Sequence, residues 1–400
     1  MEKRLVYLDN NATTKVDERV VEKMLPYLSE RYGNPSSMHG FGGEVSKDIA
    51  IAREQVADLV GAKNPYEITF TGCGTESANI AIKGALEINK SKNHIVTTKV
   101  EHPCVLNTYK WLEKRGYKIT YLDVNAEGEL MVDDLKDVVT NDTALVSIMW
   151  ANNETGVVFP IEKAARIIKD RNPKTLFFVD AVQAAGKIPM DVSSAPIDML
   201  GISGHKFHAP KGVGALYVRK GLLLPPLLLG GHQEKGLRPG TENVSGIIGM
   251  GEAAQLAKSY LPDEETRVKA LRDELEKGIV KKVFNARVNC SKALRVPNTS
   301  NISFEYIEGE LMLLHFAQEG ICASSGSACT SGSLEPSHVL KAMGVPFTSL
   351  HGSIRFSLSR FTTQNDIDYA LEKIPPIIEK INGYSPYQKE LRDLKELRNF

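Results

Sequence analysis

The chain has 400 residues, of which 42% are hydrophobic and 24% charged, an ordinary globular composition with room for two or three domains or one large α/β domain with an appendage. Lysine plus arginine and aspartate plus glutamate each number 49, so the net charge is zero and gives no support to a nucleic-acid or anionic-membrane partner. Five cysteines, an odd number with no C-x-x-C pair, argue against a disulfide framework and against zinc-finger spacing, and leave room for a reactive thiol.

The N-terminus, MEKRLVYLDNNATT, is charged and then strand-like, with no long apolar run. No secretory signal is expected, and the expected compartment is the cytoplasm. β-Rich runs then alternate with helical ones. Strands are predicted over Glu67–Thr71, His94–Val100, Lys118–Leu122, Ala144–Trp150, Thr175–Asp180, Ile197–Ser203 and Val213–Val218, with helices between them such as Glu76–Asn89 and Ile161–Arg171. The alternation predicts an α/β fold around a largely parallel sheet. The most apolar stretch, GLLLPPLLLGG at 221–231, is short and broken by Pro225 and Pro226, so it cannot span a bilayer as a helix.

From about residue 260 the pattern changes. A charged helix over Glu264–Val280, strands over Asn301–Glu305 and Ser353–Leu358, and a helix near Gln364–Ile381 predict a smaller α+β unit. The expected division is a large domain over 15–258, with 1–14 and 259–400 forming the small one. The tail, SPYQKELRDLKELRNF, reads as a charged helical end.

In open α/β sheets, ligands bind beyond the carboxyl ends of the strands. The polar groups after these strands are therefore expected to converge: Gly72–Thr75, Glu101–His102, Asn152–Asn153, Asp180–Gln183 and Ser203–Lys206. Taken singly, Lys206 reads as a surface lysine and Asp180 as a helix cap. Together they match a Schiff-base lysine and the acid that keeps the ring nitrogen of pyridoxal phosphate protonated. Gln183, one turn on, is placed to donate to the phenolic oxygen of that cofactor. Gly72-Cys73-Gly74-Thr75 opens a helix, where backbone N–H groups favour a phosphate, with capping by Thr75 as the plainer alternative. His102 is suited to stacking on a flat ring or to moving protons. Cys329 lies in GSACTSG (326–332), a run of small residues that suits a mobile nucleophile, whereas Cys322 after EGI reads as strand or core. Arg355, in SIRFS, suits a bidentate grip on a carboxylate, with a surface salt bridge as the alternative.

These residues sit in a series of motifs that resembles the NifS/IscS-type cysteine desulfurases, class-V aminotransferase relatives of pyridoxal-phosphate fold type I, over nearly the full chain. The motifs are YLDNNATT (7–14), GNPSSMH (33–39), CGTESAN (73–79), EHP (101–103), ANNETG (151–156), DAVQAAGK (180–187), SGHKFHAPKG (203–212), RPGTEN (238–243), SSGSACTSGS (324–333) and RFSLSRF (355–361). WANNETG, the CGTES loop, HAPKG, GGHQE and the SPY segment lean towards the NifS side. The resemblance implies a large domain with a mostly parallel mixed sheet plus a small α+β domain, with the active-site cysteine in a mobile loop over 322–334.

The resemblance also implies roles. Lys206 carries pyridoxal 5'-phosphate and moves the Cα proton, and Asp180 pairs with the ring nitrogen. Gln183 faces the phenolic oxygen, and His102 stacks on the ring and relays protons. Gly74, Thr75, Ser203 and His205 hold the phosphate. Thr241 reaches the phosphate of the neighbouring subunit, which implies a homodimer. Arg355, Asn34 and Asn153 meet the substrate carboxylate or its surroundings. Cys329 takes sulfur from L-cysteine, leaving L-alanine, and carries it as a persulfide to an iron–sulfur scaffold of the IscU/NifU type, for nitrogenase under the NifS-like reading. No metal site is expected in the enzyme itself, although Cys329 is placed to touch a nascent cluster on the scaffold. An aminotransferase or a selenocysteine lyase of the same fold would share Lys206 and Asp180, but a simple aminotransferase has no use for a mobile thiol. A non-catalytic relative would be expected to lack Lys206 or Cys329, and both are present.

Overall fold

The computed structural model describes residues 4–325 and 336–398. Its strands are β1 (Val6–Tyr7), β2 (Ile68–Thr71), β3 (His94–Thr98), β4 (Lys118–Leu122), β5 (Thr143–Met149), β6 (Leu176–Asp180), β7 (Met199–Ser203), β8 (Gly214–Val218), β9 (Ala286–Val288), β10 (Thr299–Phe304), β11 (Ile321–Cys322), β12 (Ser324–Ser325) and β13 (Ser353–Ser357). Seven form one sheet in the order β2-β8-β7-β6-β5-β3-β4. The pairs β3–β4, β3–β5, β5–β6 and β6–β7 are parallel, while β7–β8 and β2–β8 are antiparallel. Two antiparallel steps restore the direction. β2 therefore runs with β7, and the carboxyl ends of β2, β3, β5, β6 and β7 share one edge.

The strand runs are continuously apolar because both faces of this sheet are covered. On β6, Phe177 and Val179 join one hydrophobic cluster while Phe178 joins another on the opposite face. Helix Gly74–Ile88 presents Ala78, Ala81, Ile82 and Ala85 to the second cluster. The expected strands appear with ends moved by one or two residues, the usual uncertainty of terminal pairing.

A four-stranded antiparallel sheet, β12-β13-β10-β9, surrounds a separate cluster in which Ile302, Phe304, Ile354 and Phe356 meet Leu275, Ile279, Ile374 and Ile378. The charged helix expected over Glu264–Val280 is longer. Helix Val244–Asp263 runs through a wider π turn at Glu264–Val268 into helix Lys269–Lys282. The expected boundary at 258/259 thus falls inside continuous helix. β1 pairs in parallel with β11, so Cys322 lies in a strand, as expected. No helix among the described residues is long and apolar enough to cross a membrane.

After β6 the chain turns tightly, with Ala184 and Ala185 N–H both donating to Ala181 O at 3.0 Å and Lys187 N–H to Ala184 O at 3.0 Å. The turn closes at Gly186, where φ is +72° and a Cβ would lie 2.9 Å from Ala257 Cβ and 3.0 Å from Phe207 Cβ. Both the backbone angle and the crowding require glycine. Gly186→Ala is expected to cost about 1–3 kcal/mol, read as a lower urea midpoint at unchanged slope.

Candidate active site

The five strand-end groups meet at one cavity. Gly74, Thr75, His102, Asp180, Ser203 and Lys206 all line it. Gln183, His205, Asn153 and Arg355 complete its lining among the expected residues. Asn34 and Thr241 are exposed and do not line it. Cys329 lies outside the described residues.

The Gly74–Thr75 end is built for an anion. Cys73, with extended backbone, occupies the cap position of the 15-residue helix Gly74–Ile88, and its side chain makes no capping hydrogen bond. Thr75 therefore lies within the first helical turn and is not the cap. Gly72 N–H is taken by Glu76 Oε2. The first-turn N–H groups, with the helix dipole behind them, present partial positive charge to the cavity. A Cβ on Gly74 would lie 2.9 Å from Val182 Cγ2 and 3.4 Å from Ser203 Cβ, so only a bare backbone lets these walls approach.

Asp180 ends β6. Its Oδ1 accepts from Val182 N–H at 3.0 Å, and Cys104 Sγ approaches Oδ2 at 4.0 Å. Burial pushes its pKa up to about 6, against the pull of the Val182 N–H and the Lys206 charge. Beside it, Glu101 is fully buried. Its Oε1 accepts from Thr98 Oγ1 and Met149 N–H, both at 2.9 Å, while Oε2 has no partner among the described residues, and burial pushes its pKa up to about 8. Burial likewise holds the Cys104 thiol protonated, its pKa raised well above the ordinary value.

His102 caps helix Pro103–Glu113. Its Nδ1 accepts from Cys104 N–H at 3.2 Å, which places the ring proton on Nε2. Burial, then Lys206, then His338 lower its pKa to about 4, so the ring is neutral near pH 7. His205 is also lowered to about 4, chiefly by burial, and its Nδ1 forms a hydrogen bond with Thr13 Oγ1 at 3.1 Å.

Lys206 Nζ donates to Asn11 O and Ala12 O, each at 2.7 Å. Asn11 was not among the residues expected at the site. Its backbone O also accepts from Gln183 Nε2 at 3.0 Å, and its Oδ1 from Lys187 Nζ at 2.9 Å. Lys187, another unforeseen member, sits four residues after Gln183 and donates to Gln183 Oε1. The spacing of DAVQAAGK contained that signal, but a lysine there reads as exposed until the turn after β6 is seen.

Arg355 is buried on β13 and not part of a surface salt bridge. Its Nη1 donates to Asn153 O at 3.0 Å and its Nη2 to Asp9 Oδ1 at 2.8 Å, while Nε is buried without a partner among the described residues. The cavity thus combines an amine on two carbonyls, a buried acid, an amide whose N–H is available, a neutral imidazole, a helix N-terminus and a buried guanidinium. Such a set suits a flat, phosphorylated, electron-withdrawing cofactor together with a carboxylate-bearing substrate.

Comparison with known proteins agrees with this chemistry. The class-V aminotransferase family matches residues 6–370. A protein named cysteine desulfurase from Trichormus azollae is 57% identical over 386 residues, covering 96% of each chain. Cysteine desulfurase NifS of Azotobacter vinelandii is 52% identical over 382 residues, covering 96% of this chain and 94% of its own. A solved NifS-like protein is 42% identical with a TM-score of 0.89, covering 94% of this chain and all of the other. Fold, cavity and comparisons together make this chain a member of the class-V aminotransferase family of pyridoxal-phosphate enzymes, on its NifS-like cysteine desulfurase branch.

Proposed function

We propose that the chain is a pyridoxal-phosphate-dependent cysteine desulfurase. It converts L-cysteine to L-alanine and passes the sulfur, as a persulfide on Cys329, to an acceptor for iron–sulfur cluster assembly. The observation that carries this reading is the meeting of Lys206, Asp180 and a helix N-terminus at one cavity, in a chain 57% identical to a protein named cysteine desulfurase.

The residues fit the cofactor. Asp180, a buried carboxylate short of a cation, would hold a protonated ring nitrogen. Gly74, Thr75, Ser203 and His205 would surround the phosphate, with the narrow approach at Gly74 reserved for backbone. The neutral ring of His102 would stack and exchange a proton through its nitrogens. Gln183 would present an N–H to the phenolic oxygen. Pyridoxal phosphate, when bound, supplies an electron sink for charge developing at the substrate Cα.

The chain's own groups supply the rest. The Lys206 amine, directed by Asn11 O and Ala12 O, would hold the cofactor and, once released from it, would move the Cα proton. Arg355, with Asn153 beside it, would hold the substrate carboxylate, with Asn34 as a further proposed contact; among the described residues the Arg355 Nε has no partner. The Cys329 thiolate attacks the substrate sulfur. The substrate C–S bond breaks, an S–S bond forms on Cys329, and the released carbon takes a proton to become alanine.

We further propose the division into 15–258 and 1–14 with 259–400, a cytoplasmic setting, an IscU/NifU-type scaffold as acceptor, and a homodimer in which Thr241 reaches the partner's phosphate. Leu223 (86% exposed) and Leu229 (91% exposed) support the dimer. A Cβ on Gly230 would lie 2.9 Å from Pro239, which ties this apolar segment to the strip that carries Thr241. Sedimentation equilibrium is expected to give twice the chain mass; a monomer would remove Thr241 from the site.

One pair of variants separates the two central roles. Cys329→Ala is expected to bind the cofactor normally and to form no persulfide and no sulfide with a reductant. Lys206→Ala is expected to lose the borohydride-stable attachment that mass spectrometry finds on the Lys206 peptide of the native enzyme. Sulfide release at the native rate from Cys329→Ala would refute the nucleophile, and a borohydride adduct on Lys206→Ala would refute the lysine.

Asp180 adds a pH test. Its folded pKa of about 6 lies above the ordinary 3.8, so the cofactor-free folded state binds its proton more tightly than the unfolded chain does. The stabilisation from that proton is complete below about pH 4 and is lost as pH rises through about 6. Cofactor-free Asp180→Asn is therefore expected to exceed the native protein at pH 8 by up to about 3 kcal/mol in urea unfolding, with the gap closing by pH 4.

A further inference from the structure

Lys187 is 5% exposed, and a lysine so buried needs a reason. Its Nζ donates to Asn11 Oδ1 at 2.9 Å and to Gln183 Oε1. Gln183 Nε2 donates to Asn11 O at 3.0 Å. The Asn11 backbone carbonyl leaves the Gln183 amide one orientation, because it can only accept, and the Lys187 amine donates to the amide oxygen that this orientation turns towards it. The N–H side is thereby committed to Asn11 O and to the cavity that Gln183 lines, and the C=O side is turned towards Lys187. Among the described residues Lys187 is the donor to Gln183 Oε1.

The surroundings keep this arrangement closed. Lys187 lies on the turn that Gly186 forces, so the side chain returns towards Gln183 four residues earlier. The charged groups around it are Lys206, Glu264 and Arg355. Burial, reinforced by Lys206, lowers its pKa to about 7, and an amine donates these hydrogen bonds in either protonation state.

We propose that Lys187 is a positioning residue that clamps Gln183 to Asn11, so that the cofactor's phenolic oxygen always meets an N–H and never the amide carbonyl. The proposal rests on the reading of Gln183 as the partner of that oxygen. Without the clamp, the Gln183 carbonyl is left buried and undonated, and the amide gains a reason to rotate.

The test is the pH midpoint of the absorbance change of the bound cofactor, measured on the holoenzyme. An N–H on the phenolic oxygen draws charge from the ring system and keeps this midpoint low. Gln183→Leu and Lys187→Met are each expected to raise it by about one pH unit. The double variant should move no further than either single one, because both remove the same contact. Lys187→Gln, neutral but still a donor, should recover most of the native midpoint. Should Lys187→Met fail to fold, Lys187→Thr makes the same removal with a side chain too short to reach Gln183.

A native midpoint in Lys187→Met beside a raised one in Gln183→Leu would overturn the clamp alone. Additive shifts in the double variant, or a Lys187→Gln midpoint as high as that of Lys187→Met, would also overturn it, since Lys187 would then act as a charge. A native midpoint in Gln183→Leu would overturn the reading of Gln183 and the clamp with it.

Discussion

The segment Asp9–Thr14 lies across the carboxyl edge of the large sheet, and the buried polar groups beneath depend on it. Asn11 is its centre. Its backbone carbonyl accepts from both Lys206 and Gln183, its Oδ1 from Lys187 and Asn298, and its Nδ2 donates to Asn153 O and Thr299 Oγ1. Asp9 meets Arg355, Thr13 meets His205, and Thr14 Oγ1 accepts from His208 N–H while donating to His205 O. A buried donor or acceptor left without its partner costs about 1–3 kcal/mol. This short segment therefore offsets the burial of many groups at once, and it joins residues near the small sheet to those at the end of the large one.

The same burial prepares the chemistry. A polar cavity open to water would leave Asp180, His102 and Lys187 near their ordinary pKa values. Here burial favours the neutral form of each, raising the acid and lowering the bases. Asp180 would meet a protonated ring nitrogen and the helix N-terminus at Gly74 a phosphate, so the cofactor would supply charges that this site is able to receive. Glu101, beside Asp180, remains protonated near neutral pH and adds no second negative charge to the site.

The 57% identity across almost the whole chain carries membership of the family and the class of reaction. The geometry carries the distances that make individual roles physically reasonable, such as the 2.7 Å bonds that direct the Lys206 amine.

The local sequence determined the strand ends. Apolar runs such as LFFVD and MLGIS, bounded by polar residues and alternating with helical stretches, suit a sheet covered on both faces, with the polar residues that follow them at its edge. Asp180, His102, Thr75, Ser203 and Lys206 were legible at the cavity for that reason, while the expectation on Cys329 lies outside the described residues. Tertiary structure decided what lies opposite them. Among the partners of Lys206, Gln183 and Arg355 are Asn11, Lys187 and Asp9 respectively, and two of these belong to an N-terminal segment remote in sequence from what it touches. No local periodicity records such a contact, because a hydrogen bond between distant residues depends on where the chain has been carried and leaves no spacing behind. The burial of Lys187 and Glu101 was hidden likewise. A charged residue reads as exposed until the turn at Gly186 and the covering segment have closed over it.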